Sequence, residues 1–72
     1  MKHLRVVFDN GRGENGEVKH YLTTDDNAAA VVTEMKAGRA MAIENYNEDR
    51  LIRVCTTYVR ADQIMLIEVT NR

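Results

Sequence analysis

The chain has no proline and no tryptophan, and only one cysteine and two histidines among its 72 residues. A lone cysteine excludes an internal disulfide. With two histidines it falls short of the four Cys or His ligands usual in a structural zinc site. No stretch approaches the roughly 20 apolar residues of a membrane-spanning helix. The opening MKHLRVVFDN has a short apolar run broken by Arg5, unlike a signal peptide. Neither charge sign dominates: 10 basic and 11 acidic residues leave a net charge of -1. The two signs alternate without blocks, so no long-range field pulls the chain toward nucleic acid or anionic lipid. There is no repeat and no low-complexity tract, and residues 1–72 read as a single domain. An unpaired thiol without an export signal points to the cytoplasm, with no membrane involvement.

Small size sets a second limit. A chain this short buries only roughly 60% of the surface its unfolded form exposes. Domains of this size compensate with disulfides, metals or oligomers. With the first two excluded, a homo-oligomer is the expectation.

Hydrophobic residues alternate in short runs, the mark of half-buried strands. Leu4, Val6 and Phe8 share one face of the first run, and Val18, His20 and Leu22 one face of the second. Matching these sets pairs Phe8 with Val18, Val6 with His20 and Leu4 with Leu22. That register predicts a hairpin over 3–23 with a mobile loop at 9–17 and with Asp9 facing Glu17. DDNAAAVVTEMKAG breaks the alternation. Ala28, Val31, Val32 and Met35 recur at helical spacing, Thr24 and Asp25 suit an N-cap, and Gly38 suits the position after the last turn. A helix over about 26–37 follows. Residues 40–70 return to strands: Ala40–Asn45, the run LIRVCTTYV at Leu51–Val59, and Ile64–Val69. The last strand has Met65, Ile67 and Val69 on one side and Ile64 and Leu66 on the other, which predicts cover on both faces. The expected fold is α+β, a small and mainly antiparallel sheet in the order β-β-α-β-β-β with one helix on one face. The alternative is a small closed barrel of the Sm-like or SH3-like kind.

The loudest motif is DNGRGENGE, where Gly11, Gly13 and Gly16 spell G-x-G-x-x-G. A dinucleotide-binding turn needs those glycines to open a helix, and here a strand follows. The kinase version lies between strands, but 72 residues leave no room for the rest of a kinase. A P-loop needs Lys and Ser or Thr where Glu17 and Val18 stand. The expectation is a hairpin loop, whose one functional option is contact through Arg12 and bare backbone amides.

No catalytic set, cofactor site or metal set emerges, and the chain reads as non-enzymatic. Cys55 reads as a small buried apolar residue, His20 as a partly buried residue on an apolar strand face, and Asp25 and Asp26 as helix-capping groups. One patch remains. Arg5, Lys19 and Tyr21 are expected together on the second face of the hairpin, where cations beside an aromatic ring suit single-stranded nucleic acid. Candidate contact residues are therefore Arg5, Arg12, Lys19 and Tyr21.

The second half carries K-x-G at Lys36–Gly38, then a short strand, a polar turn, a second strand, and D-x-I-x-x-I-E at Asp62, Ile64, Ile67 and Glu68. Over about residues 27–68 this resembles small uncharacterised proteins of bacteria and their phages. The resemblance implies an accessory protein and brings no site residues. The functional expectation is a homo-oligomer or protein-interaction module, with single-stranded nucleic-acid binding as the alternative.

Overall fold

A computed structural model describes residues 1–72. Five strands and one helix follow in the expected order: β1 (Lys2–Asp9), β2 (Asn15–Thr23), α1 (Asp25–Lys36), β3 (Met41–Tyr46), β4 (Arg53–Val59) and β5 (Ile64–Asn71), with a 3-10 turn at Ala61–Gln63 before β5. The strands form two antiparallel sheets, β2-β1-β5 and β3-β4, and no barrel closes. β2 lies in contact with β3 but is not hydrogen-bonded to it.

The hairpin register differs by one residue from that expected. Leu4 pairs with Tyr21, Val6 with Lys19, Arg5 with His20 and Val7 with Val18. The inner face of β1–β2 therefore carries Leu4, Val6, Tyr21 and Thr23. These four join the buried interior, while His20 is exposed and Val18 is 40% exposed on the outer face. The matching of Leu22 and Val18 to Leu4 and Phe8 fails because Tyr21 is the larger apolar surface to bury, and because Thr23 is needed inside as a hydrogen-bond donor.

A bulge ends the regular ladder. Between Val7↔Val18 and Asp9↔Asn15, β2 holds one extra residue, so Asp9 does not face Glu17. Gly16 sits in this bulge. A Cβ there would stand 3.0 Å from the Phe8 carbonyl oxygen and 3.1 Å from the Asn10 nitrogen, so any side chain would press the β1 backbone back by a few tenths of an ångström. A second bulge corrects β5. Val7 pairs with Leu66 but Phe8 with Ile64, which leaves Met65 as the extra residue. Ile64 and Ile67 thus share the inner face, against the simple alternation. As an edge strand, β5 is not covered on both faces: Glu68 to Asn71 are exposed.

The helix forms for local reasons. The Thr24 hydroxyl caps it, accepting from the Asn27 amide at 3.1 Å, and Asp25 and Asp26 occupy its first turn. At the far end Gly38 takes φ 72°. Its N–H bonds the Met35 carbonyl at 3.0 Å, and the Arg39 N–H bonds the Glu34 carbonyl at 2.9 Å, so the last carbonyls are satisfied by a Schellman turn. Ala28 and Val31 bury one face against Leu4, Val6, Tyr21, Met41, Ile43, Val59 and Ile64, and these nine make the core. Phe8, Met35, Ala61 and Ile67 pack around it half-buried.

Beside this apolar packing, a single side chain hydrogen-bonds the helix to the second sheet. Asn27 Nδ2 donates to the Ala42 carbonyl at 3.0 Å, and its Oδ1 accepts from the Glu44 N–H at 3.0 Å and from the Thr23 hydroxyl at 2.8 Å. A primary amide sets an N–H donor beside a carbonyl acceptor as a peptide does, so it pairs β3 as a neighbouring strand would. Along one strand, alternate residues point their backbone groups to opposite edges. Ala42 and Glu44 turn toward Asn27, which leaves Met41, Ile43 and Asn45 to bond β4. No buried side-chain polar atom lacks a partner.

Asn27→Ala leaves the buried Thr23 hydroxyl and two β3 backbone groups without partners, and it should cost about 2–4 kcal/mol in urea unfolding. Gly16→Val should cost about 1–3 kcal/mol by the same measurement, because its side chain meets backbone rather than a movable side chain.

Candidate functional site

Asp9 and Asn10 organise the glycine loop. The Asp9 carboxylate accepts from the amides of Gly11 at 2.6 Å and Gly13 at 3.1 Å. The Asn10 side-chain oxygen accepts from those of Arg12 at 2.8 Å and Glu14 at 3.4 Å. Four amides that could cradle an anion are thus already turned onto the chain's own side chains, one of them negatively charged. Asx residues close loops in this way because their short side chains reach amides two residues on. The side chain of Arg12 is exposed at the tip.

The hairpin patch does not assemble. With the observed register Arg5 stands on the outer face opposite His20, whereas Lys19 and Tyr21 belong to the inner face. Arg5 is ion-paired to Glu68 of β5. The Lys19 ammonium lies 5.9 Å from the centre of the Phe8 ring, a cation–π contact, and 3.9 Å from Glu17. Tyr21 is in the core, where burial first, and then Glu17 and Cys55, pushes its hydroxyl pKa upward.

Two other regions have the character of sites. One is the outer edge of β4, which pairs only with β3. Near it Ile52, Val54 and Tyr58 are 58, 65 and 78% exposed. β4 has its own extra residue, Val54, between the pairs Asn45↔Cys55 and Tyr46↔Arg53. That bulge turns Arg53 to the face of Glu44, 3.5 Å away. Cys55, expected to be buried, is exposed, with the Asn45 side-chain amide 3.9 Å from its sulfur.

The other region is a cleft of 480 Å³ where the ends of β1, β2 and β5 meet the end of β3. His3, His20, Tyr46, Glu48, Asn71 and Arg72 contribute to its walls. The Arg72 guanidinium donates to the Glu48 carbonyl at 2.7 Å and ties the chain's last residue to the β3–β4 loop. Inside that loop Asn47 takes a turn role: its N–H bonds the Ile52 carbonyl and its carbonyl accepts from Leu51, both at 2.8 Å. Sequence reasoning missed this cleft. Its one available signal was that the two histidines lie on alternating strands, and their meeting depends on the register.

Comparison with protein-family models, with curated proteins and with solved structures finds no match to this chain. No group of three or more His, Cys, Asp or Glu is placed to hold a metal ion. No helix is long and apolar enough to cross a membrane.

Because Asp9 and Asn10 already hold the loop amides, inorganic phosphate or a nucleotide should leave the amide resonances of residues 10–17 unmoved in a two-dimensional NMR titration. Concerted shifts there at millimolar phosphate would contradict this reading of the loop.

Proposed function

We propose that this chain is a non-enzymatic interaction module that works as a homo-oligomer, pairing the open edge of β4 with the same edge of a second copy. The observation that carries the reading is the unpaired β4 edge with exposed Ile52, Val54 and Tyr58 beside it. Natural edge strands are usually blunted by charge, proline or cover. Here there is no proline, and the one charged residue of β4, Arg53, lies at its start and is drawn toward Glu44.

The second copy is favoured by the strand's own sequence. Since Met41, Ile43 and Asn45 bond β4, the backbone groups of Thr56 and Tyr58 face outward. An antiparallel pair centred on Thr56 sets Thr56 against itself and Val54 against Tyr58, twice. Such an isologous contact is the commonest route to a closed dimer. It also relieves the small core, since only 11 of 72 residues are buried in the single chain. Cytoplasmic residence belongs to the same reading, because a free and exposed thiol suits a reducing compartment. Nucleic-acid binding through the hairpin loses its motivating observation once Arg5 is separated from Lys19 and Tyr21.

Light scattering coupled to size exclusion should give twice the 8.2 kDa chain mass at high micromolar concentration. The double variant Val54→Glu, Tyr58→Glu should run as a monomer with unchanged circular dichroism. A strictly monomeric wild type would overturn the proposal.

A further inference from the structure

We propose that His3 and His20 together chelate one divalent transition-metal ion, of the zinc, nickel or copper class, at the wall of the cleft between β1, β2 and the end of β3. The register that dismantles the predicted basic patch builds this pair. His3 pairs with Leu22 and Arg5 with His20, so the two imidazoles lie diagonally across the strands on the outer face. Cross-strand diagonals are within reach of long or aromatic side chains. Here His3 Nε2 and His20 Nδ1 are 3.1 Å apart.

The ring geometry shows what kind of contact this is. The planes are within 9° of parallel, with centroids 5.0 Å apart. Because the facing nitrogens are much closer than the ring centres, the rings meet edge toward edge rather than face on face. The contact is an N–H···N hydrogen bond, in which one nitrogen donates and the other accepts. A metal ion replaces that shared proton. The donor's proton moves to the other nitrogen of the same ring, both imidazoles stay neutral, and each offers one lone pair.

The spacing fits a single ion. With metal–nitrogen bonds of about 2.0–2.1 Å, two ligands at angles from square to tetrahedral stand about 2.9–3.4 Å apart. The observed separation falls inside this interval, so only ring tilts about the side-chain torsions are needed, and His20 is exposed and free to turn. Imidazole nitrogen selects zinc, copper or nickel over calcium and magnesium, which take oxygen ligands. Arg5, on the same face, is ion-paired to Glu68, and the Arg72 guanidinium at the cleft is turned onto the Glu48 carbonyl. No third His, Cys, Asp or Glu completes the set, so the ion keeps open positions toward the cleft for water or a small ligand. This differs from the four-ligand zinc site that composition excludes, and it is independent of the β4 edge.

Calorimetric titration of the untagged chain with zinc chloride tests this, read together with the imidazole resonances by NMR. The expected result is one ion per chain, shifts at both imidazoles, and at least a roughly tenfold loss of affinity in His3→Gln and in His20→Gln, the lower end of what losing even a supporting residue costs a metal site. The wild-type imidazole shifts decide the matter should a variant fold poorly. No binding, unmoved imidazoles, one ion per two chains, or affinity that survives His20→Gln would overturn the proposal.

Discussion

The architecture depends on one side-chain amide. β3 belongs to a two-stranded ribbon, and a ribbon of that size is marginal by itself. Its inner edge faces β2 across a boundary with no backbone ladder. Asn27 fills that boundary from the first turn of the helix, holding Ala42 and Glu44 as a strand would and taking the Thr23 hydroxyl at the end of β2. Helix, hairpin and ribbon therefore meet at one residue. Met41 and Ile43, fully buried beside this junction, supply the apolar side of the same contact.

The same interruption divides the sheet. Because the helix rather than β2 satisfies the inner edge of β3, the strands do not run on from β2 into β3, and two separate sheets result. The cleft lies at this division, where the ends of β1, β2 and β5 meet the end of β3. The open edge of β4 does not depend on it, since β4 would end a continuous sheet as well.

The order of elements was legible in the sequence because each signal was local: alternation for the strands, Ala28, Val31 and Met35 for the helix face, Thr24 and Gly38 for its ends. What was not legible depended on single extra residues. Gly16, Met65 and Val54 each add one residue to a ladder, and each reverses the facing of everything beyond it. That is why Arg5, Lys19 and Tyr21 read as one patch and are not, and why His3 and His20 did not read as a pair. Asn27 carries no helical or strand periodicity, and nothing in the sequence marks it. Its role requires knowing that β3 arrives beside it. The G-x-G-x-x-G spelling identified a turn, but Asp9 and Asn10, the residues that decide what its amides do, precede the motif.

Hydrogen exchange of the Glu44 amide measures the Asn27 junction most directly. Glu44 lies on the β3 edge away from β4, so its only acceptor is the Asn27 side chain. Protection at Glu44 should be comparable to that of Ile43, whose amide lies within the β3–β4 ladder. Exchange at Glu44 as fast as at the exposed loop residue Glu48 would contradict it.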